Sequence, residues 1–328
     1  MTKTKGRDVT RVTLIHNPGA GDAEHASDEL SRMLSGAGYE VDYRSTEDDD
    51  FEGALAGARG MVVVAGGDGT VRKVAKRLVG RGVPLGVLPL GTANNIAQSL
   101  GLGGDAGELA EGLRSARRMK FDVGVARGPW GAEYFFEGFG LGLFTDVMTE
   151  LDAREEREPA LFERAADPLA TALRALREAL PGYRAHDLRL RLDGEDLSGR
   201  YLMVEAMNIS RVGPNLFLAP DADPSDGLLD VVVVSEEGRE EFGQYLEYRL
   251  EGKQDAPLLC VRRGRRLEFS WDGPLLRFDD ETWPKKKGKK AAGREWRDGP
   301  AAVEVTLEHA GLEFLIPQGV GQAAPARG

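Results

Sequence analysis

Three glycines, a carboxylate and a hydroxyl stand together in the run GGDGT at residues 66–70. The run follows the apolar segment MVVVA (61–65) and precedes VRKVAKRLVG (71–80), in which apolar residues recur at helical spacing. A glycine turn between a buried strand and a helix is typical of phosphate binding, because glycine lets an anion approach the backbone and the helix start presents unpaired amides. Thr70 can donate a hydrogen bond to a phosphate or cap the helix. The sequence therefore predicts an anion site at this turn.

Asp68 is the unexpected residue of this turn. A carboxylate repels a polyphosphate unless a cation lies between them, so Asp68 indicates Mg²⁺ held with the phosphates, directly or through water. The alternative is that Asp68 caps its own helix at Thr70 and Val71.

A second turn of the same kind lies in LPLGTANNIA at 88–97, where Thr92 offers another hydroxyl. The chain has no G-x-x-x-x-G-K-[ST] run and no G-x-G-x-x-G run after its first strand. Neither the P-loop class nor the ordinary dinucleotide-binding fold is indicated.

Alternating strands and helices surround both turns. Strand-like segments at 9–16, 61–65 and 119–126 are separated by glycine turns and helical patterns, which predicts a parallel sheet with helices on its faces. The continuous apolar run MVVVA fits a strand that is buried on both sides. We expect this first domain over residues 1–125.

Beyond residue 125 the pattern changes to short alternating segments typical of antiparallel strands, with one clearly helical stretch at about 153–180. We expect a β-rich, sandwich-like second domain over 126–328 that carries this helical insertion. The closing strands at about 302–316 fit either domain. The predicted fold class is α/β, with an N-terminal parallel-sheet domain that binds phosphate and a C-terminal β-rich domain.

Composition narrows the class of protein. The chain has 328 residues, enough for two domains, and no apolar run approaches the ~18 residues of a membrane span. Its first residues lack a signal-type apolar region and Cys260 is the single cysteine, so we expect a cytoplasmic protein without disulfides. A formal net charge of -11 argues against a nucleic-acid-binding surface.

One segment departs from this acidic balance. WPKKKGKK, at 283–290, places five lysines beside an aromatic residue and suits contact with an anionic surface. The alternative is a solvated loop.

The motifs together resemble the diacylglycerol kinase catalytic domain family, which includes bacterial lipid kinases and sphingosine kinases. GGDGT alone is shared with NAD kinases. The resemblance is carried in addition by segments that occur in the family's order over most of the chain: NPGAG (17–21), LPLGTANNIA (88–97), FDVGVA (121–126) and LAPDADPSDGLLDVVVV (218–234).

The resemblance implies a kinase of lipid metabolism and phospholipid biosynthesis that transfers the γ-phosphoryl of ATP to a lipid hydroxyl. It places ATP in a cleft between an NAD kinase/diacylglycerol kinase-like α/β domain and the β-rich domain, and assigns Mg²⁺ to Asp68 and Asp122. The residues that it places around the nucleotide are Asn17, Thr46, Gly66, Gly67, Asp68, Gly69, Thr70 and Thr92.

The resemblance also implies a general base and a structural divalent-ion site. FDDE at 278–281 matches the D-G-E motif of the bacterial members and makes Glu281 the base, acting with Asp68 in catalysis. The ion site falls on Asp226 with Asp223 and the backbone of Leu228, where the alternative is an acidic hairpin turn.

Two positions depart from the family's pattern. Asn95 stands where many members have an aspartate, and Asp280 replaces the glycine of D-G-E. These departures keep open the alternative of a catalytically weak nucleotide-binding regulatory protein. A second alternative, an NAD or other small-molecule kinase, stays open because GGDGT is shared with that class.

The expected partners are a lipid substrate and an anionic membrane. We expect the protein to contact the inner face of the membrane peripherally, through Trp283 and Lys285–Lys290. The acceptor lipid and the oligomeric state, a homodimer included, stay open at this point.

Overall fold

The computed structural model describes residues 10–21, 26–158, 167–253, 259–284 and 300–318. The chain divides into two units. The first runs to Phe121 and resumes at Ala310, and the second is formed by Asp122–His309. The chain therefore passes from one unit to the other inside two strands, β5 (Arg117–Gly128) and β19 (Ala301–Ile316).

Strands and helices alternate in the first unit, as its sequence pattern predicts. They are β1 (Thr10–His16), α1 (Ser27–Gly36), β2 (Tyr39–Ser45), α2 (Phe51–Gly57), β3 (Met61–Gly66), α3 (Asp68–Leu78), β4 (Leu85–Pro89), α4 (Asn95–Ser99) and α5 (Ala106–Gly112), followed by a 3-10 turn at Leu113–Ser115 and the start of β5.

The sheet of this unit is parallel, in the order β2-β1-β3-β4. The last residues of β19 lie beside β4, where Phe314 pairs with Leu85. Every residue of β3 is buried, as expected for a strand covered on both faces. Leu30 and Leu34 of α1 pack with Val63 on one face, each such buried side chain contributing about 1.5–3 kcal/mol.

The second unit is mostly strand. Its elements are β6 (Gly131–Phe135), β7 (Gly138–Gly142), α6 (Leu143–Arg157), α7 (Pro168–Ala179), a 3-10 turn at Leu180–Gly182, β8 (His186–Leu188), β9 (Leu190–Leu192), β10 (Glu195–Asp196), β11 (Gly199–Met207), β12 (Arg211–Val212), β13 (Leu216–Phe217), β14 (Leu229–Ser235), α8 (Arg239–Leu250), β15 (Cys260–Gly264), β16 (Arg266–Trp271), β17 (Leu276–Phe278) and β18 (Glu281–Trp283).

Two antiparallel layers form a sandwich in this unit. One layer has the order β15-β14-β11-β7-β17-β18, with β8 beside β11, and the other contains β10-β9-β16 and the first half of β19. Phe139 of β7 and Phe269 of β16 belong to the core between the layers. On its other face the first layer packs against α6, α7 and α8.

The fold class predicted from the sequence is confirmed. The helical stretch begins earlier than predicted, because Leu143 and Phe144 are already in α6 and are fully buried. Gly142 precedes the helix with φ 95° and permits the sharp change from strand to helix. Within the described ranges, no helix combines the length and apolar character needed to cross a bilayer.

Candidate active site

Three turns of the first unit meet at one edge of its sheet, because they follow the neighbouring parallel strands β1, β3 and β4. The side-chain amide of Asn17, after β1, donates to the Thr70 hydroxyl at 3.2 Å. The amide of Leu90, after β4, donates to the carbonyl of Gly66 at 3.1 Å. The turns predicted to bind phosphate are thus brought together.

The glycines of these turns serve different purposes. A Cβ added to Gly67 would lie 3.1 Å from the Cα of Gly91, and one added to Gly91 would lie 2.5 Å from the Cα of Gly67. These two glycines let the turns touch backbone to backbone. Gly69 is exposed, and the nearest atom to an added Cβ is an Arg72 nitrogen at 3.8 Å. Packing therefore leaves Gly69 unconstrained.

Asp68 connects the two turns. Its Oδ2 accepts the amide of Asn95 at 2.8 Å and its Oδ1 accepts the amide of Ile96 at 3.0 Å, so it caps the start of α4. The amides of Thr70 and Val71 instead donate to the carbonyl of Gly67, both at 3.0 Å. The carboxylate therefore caps the neighbouring helix rather than its own.

The start of α3 is suited to an anion. Within the described part of the chain, the backbone amides of Asp68 and Gly69 have no hydrogen-bond acceptor, and they stand at the positive end of an 11-residue helix. Such a helix start binds phosphate without a dedicated cationic side chain.

The remaining nucleotide candidates also lie in the first unit. Thr46 follows β2, and its amide donates to the carbonyl of His16 at 2.8 Å. Thr92 is exposed at the tip of its turn. Asn94, which the sequence analysis did not single out, shapes that turn with φ 49° and bonds to both the amide and the carbonyl of Gly91. Asparagine tolerates the left-handed region better than other residues with a side chain, and that preference is a usable signal.

Asp122, the second magnesium candidate, belongs to the second unit and is fully buried. Its Oδ2 accepts the amide of Gly227 at 2.7 Å, and its Oδ1 lies 2.8 Å from Nδ1 of His309. The carboxylate thus holds the loop that contains the DG-x-L-D run. His309 was not foreseen, since nothing local in the sequence connects it with Asp122.

The carboxylates of the acidic loop at 223–228 and of Asp230, at the start of β14, all have protein partners. Asp223 accepts hydrogen bonds from the amide and the hydroxyl of Ser225, and Asp226 accepts the amide of Leu228 at 2.9 Å. Asp226 also pairs with Arg263, which lies 3.1 Å from Asp230. Burial raises the pKa of Asp230 to about 6, against the opposing effect of Arg263.

The described residues contain no group of three or more metal-ligating side chains of the His, Cys, Asp or Glu type. The carboxylate of Asp226 is bonded by the amide of Leu228 and the guanidinium of Arg263, which occupy its oxygens where a metal ion would bind. The contacts of Asp122 and Asp226 therefore do not form a protein cage for a divalent ion, and both assignments stay predictions. Asp68 differs, because each of its oxygens accepts a single amide and retains a lone pair, which fits an ion held jointly by one carboxylate and bound phosphates.

Asp279 fixes the turn that carries the candidate base. It has φ 54°, and its carboxylate accepts the backbone amides of Phe136, Glu137 and Gly138 at 2.8–3.2 Å. Its own amide donates to the carbonyl of Gly138 at 2.9 Å. Asp279 has no role among the sequence predictions, although an aspartate in a tight turn often bonds nearby amides.

Glu281 begins β18 directly after this turn and pairs with Phe278 of β17. Both Glu281 and Asp280 are exposed. The candidate base thus extends from a hairpin whose backbone is held by a buried aspartate. Trp283, at the end of the hairpin, packs against Trp130 and Trp271 with ring centroids 4.9 and 4.7 Å away. Lys285–Lys290 lie outside the described residues.

Two family models match successive parts of the chain. Residues 11–126 match the Diacylglycerol kinase catalytic domain, and residues 145–290 match the YegS C-terminal NAD kinase beta sandwich-like domain. The first match contains all three turns at the sheet edge and the second contains the FDDE hairpin. Residues 11–126 of the chain are thus a diacylglycerol kinase catalytic domain, as the motifs indicate, and a YegS-type C-terminal domain follows it.

Relatives and solved structures point the same way. The chain is 26% identical to the diacylglycerol kinase of Bacillus subtilis (strain 168), over 81% of this chain and 90% of that protein. It is also 26% identical to the diacylglycerol kinase of Staphylococcus aureus (strain MRSA252), over 79% of this chain and 82% of that protein.

Among solved structures, a diacylglycerol kinase from Bacillus anthracis str. Sterne superposes with a TM-score of 0.64 at 15% identity, covering 96% of this chain and 100% of that chain. Yeast NADH kinase complexed with NADH superposes with a TM-score of 0.54 at 10% identity, covering 94% and 84%. At these identities the superpositions show the shared fold.

Proposed function

We propose that the protein is an ATP-dependent lipid kinase that transfers the γ-phosphoryl group of ATP to the hydroxyl of a diacylglycerol-like lipid. The observation that carries the proposal is the start of α3, where the amides of Asp68 and Gly69 have no acceptor among the described residues and lie beside a carboxylate that is fixed between two turns. The names of the relatives supply the acceptor class.

The nucleotide phosphates bind at the start of α3 in this proposal. The helix dipole and the amides of Asp68 and Gly69 stabilise the negative charge, and the hydroxyl of Thr92 is available to donate to it. Bound Mg²⁺ would neutralise charge on the phosphates, with Asp68 as the residue that holds it. Because Asp68 is pinned by the amides of Asn95 and Ile96, it keeps its orientation without a bound ion.

Glu281 accepts the proton of the lipid hydroxyl. A carboxylate can do this when it lies within hydrogen-bond reach of the hydroxyl, and phosphoryl transfer otherwise depends mainly on positioning and charge neutralisation. The buried Asp279 contributes by fixing the hairpin from which Glu281 extends.

An acceptor screen tests this proposal. Purified protein is given ATP labelled at the γ-phosphate, Mg²⁺, and in separate reactions diacylglycerol, phosphatidylglycerol, a sphingoid base, ceramide or NAD. We expect labelled lipid, with diacylglycerol the best acceptor. Label in NAD alone would identify a small-molecule kinase, and ATP binding without transfer to any acceptor would identify a regulatory protein.

A further inference from the structure

Arg277 is a buried cation of the second unit, and the reaction steps proposed above assign it no role. It lies on β17, two residues before Asp279, and is only 7% exposed. Its guanidinium carbon lies 4.9 Å from the centre of the Phe144 ring, and its Nε donates to the backbone carbonyl of Asp279. Burying a guanidinium is costly unless its hydrogen bonds and charge are compensated. We therefore looked for the groups that compensate this buried charge.

A buried acid faces Arg277 across one strand. Gly140 of β7 is in register with Glu205 of β11 on one side and with Arg277 of β17 on the other, so all three share a face of the sheet. A Cβ on Gly140 would lie 2.0–2.2 Å from the carboxyl atoms of Glu205, which occupy the space left by the missing side chain.

Arg277 interacts electrostatically with acids on two other elements. Burial raises the pKa of Glu205 to about 8, and Arg277 opposes this shift. Desolvation also raises the pKa of Asp152 on α6, where Arg277 lowers it and Asp280 raises it. Arg277 is thus a cation shared by an acid on β11 and an acid on α6.

The turn itself is held from two sides. The side chain of Asp279 is fixed by the three amides at 136–138, and its carbonyl is fixed by Arg277. The peptide that follows leads through Asp280 to Glu281. With φ 54° at Asp279, this backbone is in a region that needs such support to persist.

We propose that Arg277 is a positioning residue for phosphoryl transfer: by holding the carbonyl of Asp279, it fixes the backbone from which Glu281 reaches the lipid hydroxyl. The inference rests on the function proposed above, in which Glu281 is the base. A displacement of about 1 Å in a catalytic group can cost about 100-fold in rate. A lysine cannot replace the arginine fully, because it lacks the planar fork of donors.

A double-mutant cycle tests the inference. Arg277→Met and Glu281→Gln are made singly and together, and kcat and the KM for ATP are measured with the best acceptor of the screen. We expect Arg277→Met to lower kcat about 10- to 100-fold with an unchanged KM for ATP. In the Glu281→Gln background the same change should cost less than about 3-fold, because the group that Arg277 positions is already gone. Arg277→Lys should recover part of the loss.

Arg211→Met is the matched control, since Arg211 is also partly buried, lies 4.3 Å from the Phe217 ring and bonds to Asn215. It should lower stability and leave kcat unchanged. If Arg277→Met does not fold, Arg277→Lys carries the same cycle.

Equal losses from the Arg277 change in both backgrounds would overturn the inference while leaving the base in place. A wild-type kcat in Glu281→Gln would show that Glu281 is not the base. It would overturn that part of the proposed function and also the positioning role of Arg277.

Discussion

Two glycines of the GGDGT turn have different roles. Gly67 allows the backbone contact with Gly91, whereas Gly69 has open space where a Cβ would stand. Of these two, Gly69 is therefore the glycine whose missing side chain fits the close approach of a phosphate.

Gly69→Ala and Gly91→Ala should accordingly behave differently. Gly69 lies inside α3, so alanine should leave the free energy of unfolding unchanged or raise it by up to about 1 kcal/mol, while weakening ATP binding. Gly91→Ala should cost about 1–3 kcal/mol because its Cβ would meet Gly67. Urea denaturation and titration with a non-hydrolysable ATP analogue measure the two effects. Wild-type ATP affinity in Gly69→Ala would show that the nucleotide does not approach this amide.

Glu205 gives a prediction about pH. Its pKa is about 8 in the folded protein against an ordinary value of 4.5. The folded state therefore keeps a proton that the unfolded state has released, and the contribution of Glu205 to the free energy of unfolding falls as pH rises from about 4.5 to about 8.

Glu205→Gln should remove this loss. Relative to wild type, the variant should gain stability between pH 5 and pH 8, by an amount on the order of a few kcal/mol. Denaturant unfolding at both pH values measures it, with Glu195→Gln, an exposed change on β10, as the control. A difference between Glu205→Gln and wild type that is the same at both pH values would contradict the burial effect.

At the scale of the element, one aspartate couples two helices. Asp68 is the first residue of α3 and the cap of α4, so the loss of one carboxylate affects both turns. Asp105 caps α5 in a comparable way by accepting the amide of Glu108 at 2.9 Å. The chain thus offers a matched pair of caps, one at the site and one outside the three turns.

Asp68→Ala and Asp105→Ala should each lower the free energy of unfolding by about 0.5–2 kcal/mol, the usual cost of a lost cap. Thermal and urea denaturation check this. A loss well below this range in Asp68→Ala, with the expected loss in Asp105→Ala, would mean that the carboxylate of Asp68 does not cap α4 in solution.

The sequence predicted the local features and missed those that depend on distant partners. The strand-turn-helix units around Gly66–Thr70 were predictable because the apolar run, the glycines and the helical spacing are all adjacent. The bond from Asp68 to the start of α4 was not, since a capping residue is usually looked for on its own helix. The partners of Asp122 and Asp279 likewise come from remote segments that only the folded sheets bring together.

At the scale of the whole molecule, membrane contact is a proposal. The hairpin that carries Glu281 ends at Trp283, which is held in an aromatic cluster, and the lysine run begins two residues later. Each lysine near an anionic surface contributes ~1 kcal/mol. We infer that this segment brings the protein to an anionic lipid surface.

Replacing Lys285, Lys286, Lys287, Lys289 and Lys290 by glutamine should weaken binding to vesicles that contain anionic lipid at least about 10-fold at physiological salt. Binding to neutral vesicles should not change. Vesicle sedimentation measures both. Unchanged binding to anionic vesicles would show that the run is a solvated loop.

The central claim is that the turns around Asp68 form the site of phosphoryl transfer to a lipid. The most direct test is the rate of label transfer from ATP to diacylglycerol in mixed vesicles by Asp68→Ala and Asp105→Ala, both at a temperature where they are folded. We expect Asp105→Ala to transfer at the wild-type rate and Asp68→Ala to be slower by at least about 100-fold, the usual scale for a lost group that stabilises the transition state. Transfer by Asp68→Ala at the wild-type rate would contradict the central claim.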